Sequence, residues 1–140
     1  MHPMPLTPDQ VNDFVASVYP AAAASGYRSV ELGEGYAVAR WIYDPTSLRP
    51  GDLISGPTLF TVADIALWHL SFTVLGLKPM AVTSDVHITF LRPAAGGDVI
   101  GRAELLRAGK TRISGQVRMW IEGAEDRPVA HAVGGYGVLA

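Results

Sequence analysis

The chain contains no cysteine in its 140 residues. It therefore has no disulfide framework, no thiolate nucleophile and no zinc site of the cysteine type. Charged residues are sparse, at 17%, and a net charge of -2 leaves no basic stripe for nucleic acid. The opening residues MHPMPLTPDQ lack the basic flank and apolar stretch of a secretory signal, so we expect a cytoplasmic protein.

The sequence also lacks a long uninterrupted hydrophobic run. Its longest apolar segment, around residues 57–77, is broken by Asp64, His69 and several hydroxyls, which indicates a buried helix and not a membrane span. Apolar residues nevertheless make up 49% of this short chain, and that excess predicts surface buried in an oligomer. The histidines do not show the spacing of a metal site, so we expect no metal.

Helix and strand signals follow one another in a clear order. The stretch TPDQ, residues 7–10, has the hydroxyl cap, early proline and acid of a helix start, and Pro20 is expected to end that helix. Gly76 and Pro79 are stop signals after the long apolar helix. Alternating, β-rich residues predict strands over 27–33, 35–43, 82–91, 97–108, 111–122 and 127–138, the last four in a meander.

One long helix among six strands needs a single sheet to bury it. We therefore predict one domain over residues 1–140 with an α+β fold, in which an antiparallel sheet curls around the central helix. Residues 1–26 would add a short N-terminal helical segment. Strict alternation along residues 82–91 would put Val86 on one face of its strand and Thr83 on the other.

The segment SGPTLFTVAD, residues 55–64, followed by VTSDVHITFLRPAAGGD, resembles the hotdog-fold thioesterases. It is most similar to the PaaI-like group, typified by the phenylacetate-pathway enzyme. That group opens its central helix with His-Gly-Gly and carries an acid nine residues after the histidine; here Ser55, Gly56 and Asp64 stand at the histidine, first glycine and acid. The resemblance covers roughly residues 27–138 and implies a hotdog fold and hydrolysis of an acyl-CoA thioester, with no cofactor besides the CoA of the substrate.

In this family the first glycine's N–H polarises the thioester carbonyl, and the acid acts as general base or nucleophile. The resemblance gives these roles to Gly56 and Asp64, which lie eight residues apart, or about 12 Å along a helix. Attack on a carbonyl needs reacting atoms within about 3.5 Å of each other. One chain therefore cannot apply both residues to one thioester. A homodimer with antiparallel helices could bring them together, and relatives also form homotetramers.

Two positions depart from the family pattern. Ser55 replaces the motif histidine; the resemblance makes it a catalytic candidate beside Gly56 and Asp64, and as a serine it is suited to cap the helix. The family's upstream asparagine is missing, since the chain's one asparagine is Asn12, and Arg49 stands roughly in its place. Without the resemblance, Asp64 would be interpreted as an exposed helix residue, or as a partly buried one bonded to local hydroxyls.

The other substrate-binding candidates are apolar side chains for the acyl group, a hydroxyl that could hold the attacking water, and cations for the CoA phosphates. They are, in that order, Phe60, Trp68 and Met80; Ser71; and Arg92, Lys110 and Arg112.

Two other functions remain open. A non-catalytic acyl-CoA-binding protein would explain the missing histidine and asparagine. An enoyl-CoA hydratase would pair Asp64 with His69, although five residues turn these side chains about 140° apart on an α-helix.

Overall fold

The longest element is helix α3, Gly56–Leu75. The structure, a computed structural model, describes residues 5–139. Ser55 caps α3 by accepting a hydrogen bond from the Thr58 N–H at 3.2 Å, and Gly76 ends it with a φ of 86°. By length and composition α3 could cross a membrane, but most of it is buried inside the fold. It is the core helix that the sequence predicts.

Six antiparallel strands form one sheet that wraps α3, in the order β1-β2-β4-β5-β6-β3. This confirms the α+β hotdog architecture expected from the sequence. The strands are β1 Tyr27–Gly33, β2 Tyr36–Trp41, β3 Ala81–Phe90, β4 Val99–Ala108, β5 Arg112–Ile121 and β6 Ala130–Val138. A short 3-10 turn, Pro45–Ser47, interrupts the loop between β2 and α3.

The predicted four-strand meander is wrong for β3. This strand lies at the edge of the sheet and pairs with β6, so only β4, β5 and β6 form a meander. The reason is that residues 91–98 carry the chain from β3 past the start of α3, where the Ile54 N–H donates to the Ala94 carbonyl. From there β4 can pair with β2.

Two glycines let α3 lie directly on the sheet. A Cβ added at Gly101 in β4 would meet Val62 at 2.7 Å, and one at Gly115 in β5 would meet Leu70 at 2.8 Å. Both distances are too short for a real contact. The absence of side chains at these two positions therefore sets how closely α3 packs on the sheet.

The N-terminal segment holds two helices and not one. Helix α1, Pro8–Val18, begins with the expected cap, a reciprocal capping box between Thr7 and Gln10. Pro20, expected only to end this helix, also begins helix α2, Pro20–Ala24. A proline fits the first helical position, and the four alanines that follow favour helix strongly.

Strand β3 contains a bulge between Thr83 and Asp85. Because a bulge inserts one extra residue, it changes which side chains face the core. Thr83 therefore faces α3, on the same side as Val86 and Ile88, which pack against the core after the bulge. The strict alternation expected for this strand is wrong at this point.

Candidate active site

The carboxylate of Asp64 lies midway along α3 and is held by two hydroxyls. Thr83 Oγ1 and Tyr136 Oη each donate to Asp64 Oδ1 at 2.6 Å. Among residues 5–139, none donates to Oδ2. Burial, and next the negative charge of Asp64, raise the pKa of the Tyr136 hydroxyl, so this group stays protonated and remains a donor.

Asp64 lines a cavity of about 440 Å³, called here the Asp64 cavity. Its walls are mainly apolar and aromatic and include Trp68 and Met80, two of the side chains predicted to contact the acyl group. Tyr19, at the junction of α1 and α2, adds a wall that the sequence did not indicate; its ring centroid lies 6.4 Å from that of Trp68. The cavity thus presents one carboxylate at the edge of an apolar surface.

Gly56, the first residue of α3, lines a second cavity of about 410 Å³, called here the Gly56 cavity. Its N–H is one of the first four in the helix, which have no acceptor within the helix, and it lies at the positive end of the helix dipole. A Cβ at this position would lie 3.3 Å from Phe90 Cζ. The missing side chain therefore keeps the space between the start of α3 and the Phe90 ring open.

Within one chain, Gly56 and Asp64 line separate cavities. They belong to one continuous helix, so the predicted axial separation of about 12 Å applies. Phe60 lies between them on the same stripe of α3 and is 39% exposed. It lines neither cavity in the single chain, and the structure does not bring Gly56 and Asp64 together.

The cations divide between the two ends of the sheet. Arg92 lines the Gly56 cavity, and so does Arg49, which the sequence placed where the family has an asparagine. Lys110 and Arg112 lie at the turn between β4 and β5. Phe90 of the Gly56 cavity pairs with Ala130 of β6, which in turn pairs with Met119 near the other end of β5. Along β5, Met119 lies about seven residues, or about 23 Å, from Arg112. One chain therefore cannot gather all the predicted cations around a single phosphate group.

The two serines among the candidates have local hydrogen-bond partners. Ser55 Oγ accepts from the Thr58 N–H and lies 3.0 Å from the Thr58 hydroxyl, so its capping role is confirmed. Ser71 is fully buried, and its hydroxyl donates to the Trp68 carbonyl. Neither serine lines either cavity.

His69 lies on a different side of α3 from Asp64. It lines a third cavity, of about 270 Å³, between α3 and the N-terminal helices. Its side chain is fully buried, its Nδ1 makes no hydrogen bond within residues 5–139, and burial lowers its pKa to about 3. The Asp64–His69 pair that a hydratase would need is therefore not assembled in the chain.

Asn12 has a structural position. Its side-chain amide accepts from the Ser29 N–H at 2.8 Å and donates to the Ser29 carbonyl at 3.0 Å, which ties α1 to β1. It cannot replace the family asparagine near the glycine turn. In the described part of the chain, no group of three or more His, Asp or Glu residues is placed to hold a metal ion.

Sequence reasoning missed the two hydroxyls on Asp64. Tyr136 could have been found, since alternation in the last strand puts it on the same face as the buried Ala130 and Ala132. Thr83 could not, because the bulge beside it reverses the face that alternation assigns.

The sequence profile of the thioesterase superfamily matches residues 51–126, more than half of the chain and all of α3. No curated protein gives a significant match.

Solved structures resemble the chain over almost its whole length. A candidate thioesterase from Silicibacter sp. TM1040 is 28% identical, with a TM-score of 0.85, and the match covers 96% of this chain and 93% of that one. The PaaI protein of the E. coli phenylacetic acid degradation operon is 25% identical, with a TM-score of 0.73 and coverage of 92% and 96%. A variant of the phenylacetic acid degradation protein PaaI from Thermus thermophilus is 25% identical, with a TM-score of 0.71 and coverage of 86% and 99%.

Proposed function

The chain belongs to the thioesterase superfamily, with a PaaI-like hotdog fold, and we propose that its substrate is an acyl-CoA, hydrolysed to a free acid and CoA. One observation supports this most directly. A single helix presents an oriented carboxylate in one cavity and the N–H of its first residue in another.

In the proposed reaction, Asp64 acts as general base or nucleophile. As a base, it takes a proton from water through Oδ2 while the water oxygen attacks the thioester carbonyl carbon. The carbonyl oxygen becomes an oxyanion, which the Gly56 N–H stabilises. The tetrahedral intermediate then collapses, the carbon–sulfur bond breaks, and the proton passes to the leaving CoA sulfur. As a nucleophile, Asp64 would attack the carbonyl carbon and expel the CoA thiolate, which takes up a proton; water would then hydrolyse the resulting anhydride to the free acid and restore the Asp64 carboxylate.

We propose that each site is shared by two chains of a homodimer, or of a homotetramer built from such dimers. The spacing on α3 supports this, because Gly56 and Asp64 cannot reach one thioester from the same chain. Strand β3 supports it too. It is an edge strand, and apolar side chains on and beside it are exposed, namely Met80, Val82, Phe90 and Leu91. An apolar edge strand readily pairs with another chain.

The two cavities suggest how an acyl-CoA would lie. The acyl group would contact Trp68, Met80 and Tyr19 in the Asp64 cavity of one chain. The CoA phosphates would lie near Arg49 and Arg92 at the Gly56 cavity of the other chain. Roles for Phe60, at the helix face between the cavities, and for Lys110 and Arg112 stay predictions.

The proposal is tested by incubating the protein with a panel of aryl and short- to medium-chain acyl-CoAs and detecting the free thiol. The matched control is Asp64→Asn, which keeps the side-chain shape and an oxygen for Thr83 and Tyr136 to bond. We expect turnover of at least one substrate, and a loss of about 100- to 10,000-fold in the variant, because the group that activates water is gone. Equal rates for both proteins on every substrate would contradict the proposal.

A second candidate function is acyl-CoA binding without catalysis. It is favoured by one observation: Ser55 only caps α3, and Asn12 is bonded to β1, so the family's usual polar groups near the glycine turn are missing. Micromolar binding of acyl-CoAs by the wild-type protein, with no turnover above Asp64→Asn, would establish it.

A further inference from the structure

We propose that Tyr136 is a positioning residue, which fixes the Asp64 carboxylate so that Oδ2 is the oxygen presented to the substrate; this rests on the thioesterase function proposed above. The hydroxyl of Tyr136 donates to Oδ1 at 2.6 Å, and the side chain is 5% exposed. A buried ring cannot easily rotate away from its partner. The bond is therefore a fixed feature of the site.

Tyr136 acts together with Thr83 because the sheet places them side by side. They are directly paired residues of β6 and β3, and both face α3. The bulge after Thr83 is what turns its hydroxyl toward the helix. Two donors from adjacent strands thus converge on a single carboxylate oxygen, at 2.6 Å each.

This convergence fixes the orientation of Asp64. A carboxylate with both strong donors on Oδ1 cannot exchange its two oxygens without breaking both bonds, and hydrogen bonds to a charged group are stronger than those between neutral groups. Oδ2 stays free to accept a proton from water or to attack. The raised pKa of Tyr136 keeps its proton in place, so the donor persists across neutral pH.

The orientation of Asp64 matters more for placing the attacking water here than it would in a site with several groups that bind the water. Asn12 is bonded to Ser29, and the Ser55 hydroxyl caps α3, so neither reaches Asp64. Placement of the attacking water therefore depends on the direction in which the carboxylate itself points.

The test is Tyr136→Phe, which removes one oxygen and keeps the buried ring. We expect kcat to fall about 10- to 100-fold, the effect of one hydrogen bond to a charged group, with KM within about twofold of wild type. The matched control is Tyr36→Phe. It deletes another tyrosine–carboxylate bond of 2.6 Å, to Glu31 on the β1–β2 hairpin, and should leave kcat unchanged.

Two further measurements separate positioning from a general structural effect. In an Asp64→Asn background, Tyr136→Phe should cause no further loss, because it acts only through Asp64. A crystal structure of Tyr136→Phe should show the Asp64 carboxylate in more than one orientation. If the wild-type protein shows no turnover, both the proposed thioesterase function and the positioning role of Tyr136 are wrong. An active wild type with unchanged kcat in Tyr136→Phe would overturn the positioning role alone.

Discussion

The Asp64 cavity and the Gly56 cavity lie along the same helix, yet the charges that line them have opposite signs. The first holds an anion fixed by two hydroxyls and enclosed by aromatic rings. The second holds the positive end of α3 with Arg49 and Arg92 nearby. In a two-fold dimer, a contact from one residue to a second residue of the partner is repeated in the opposite direction. The Asp64 cavity of each chain can therefore face the Gly56 cavity of the other. The difference between them is the physical basis of the shared site that we propose.

Among the variants that keep Asp64, the largest effect should come from removing the proposed oxyanion donor. Gly56→Pro deletes the N–H at a position where proline fits the helix, since Ser55 before it is already extended, with φ −72° and ψ 155°. Loss of one oxyanion donor typically costs about 100- to 1000-fold in kcat. The measurement is steady-state kinetics on the best substrate from the panel.

Gly56→Ala is the matched control for that variant. It adds the same Cβ, 3.3 Å from the Phe90 ring, but keeps the N–H. We expect it to lose much less activity than Gly56→Pro. Equal losses in the two variants would show that crowding at Phe90, and not the missing donor, causes the defect.

A second prediction concerns the face of α3 turned away from Asp64, where His69 should affect stability and not catalysis. Burial lowers the pKa of His69 to about 3 in the folded state, below the unfolded value of 6.5. As pH falls below 6.5, the unfolded chain takes up the proton first, so stability present at pH 7 is lost progressively toward pH 3. At pH 5 this proton uptake lowers the free energy of unfolding by about 2 kcal/mol.

Denaturant unfolding at pH 7 and pH 5 measures this difference. Between these two pH values, the free energy of unfolding should fall by about 2 kcal/mol less in His69→Phe than in the wild type. His87→Gln is the control, because it replaces an exposed histidine on β3. Identical slopes for wild type and His69→Phe would mean that another group dominates.

The smallest effect should come from the cations. Arg92→Gln, at the Gly56 cavity, should raise KM for acyl-CoA about tenfold, the equivalent of about 1.4 kcal/mol. Arg112→Gln is the comparison: its guanidinium lies 3.8 Å from Asp85, at the other end of β5 from the Gly56 cavity. We expect less change there. The reverse order would place the nucleotide at the β4–β5 turn and would weaken the proposed orientation of CoA.

Most of the fold could be predicted from the sequence because its signals are local and strong. The cap before α1, the apolar length of α3 and the alternating strands each need only a few neighbouring residues to be recognised. Predicting which strands pair requires information from residues far apart in the sequence. Whether β3 joins β4 or β6 depends on how residues 91–98 pass the start of α3, which no local pattern records.

The site was only partly predictable for the same reason. Asp64, Trp68 and Met80 do line one cavity, since helix spacing and the next strand bring them together. The Thr83 hydroxyl depends on a bulge, and Tyr19 on the second helix that Pro20 begins. The position of Ser71 in the sequence does not show that its hydroxyl bonds to the Trp68 carbonyl and so cannot hold a water beside Asp64.

Subunit mixing tests the shared site most directly. Asp64→Asn and Gly56→Pro homodimers, each nearly inactive, are mixed under conditions where mass spectrometry shows subunit exchange. In the mixed dimer one site carries both defects and the other carries neither. The account predicts that activity returns, up to half the wild-type rate per heterodimer. If exchange is complete and no activity returns, the two groups do not act across the dimer, and the shared-site mechanism is wrong.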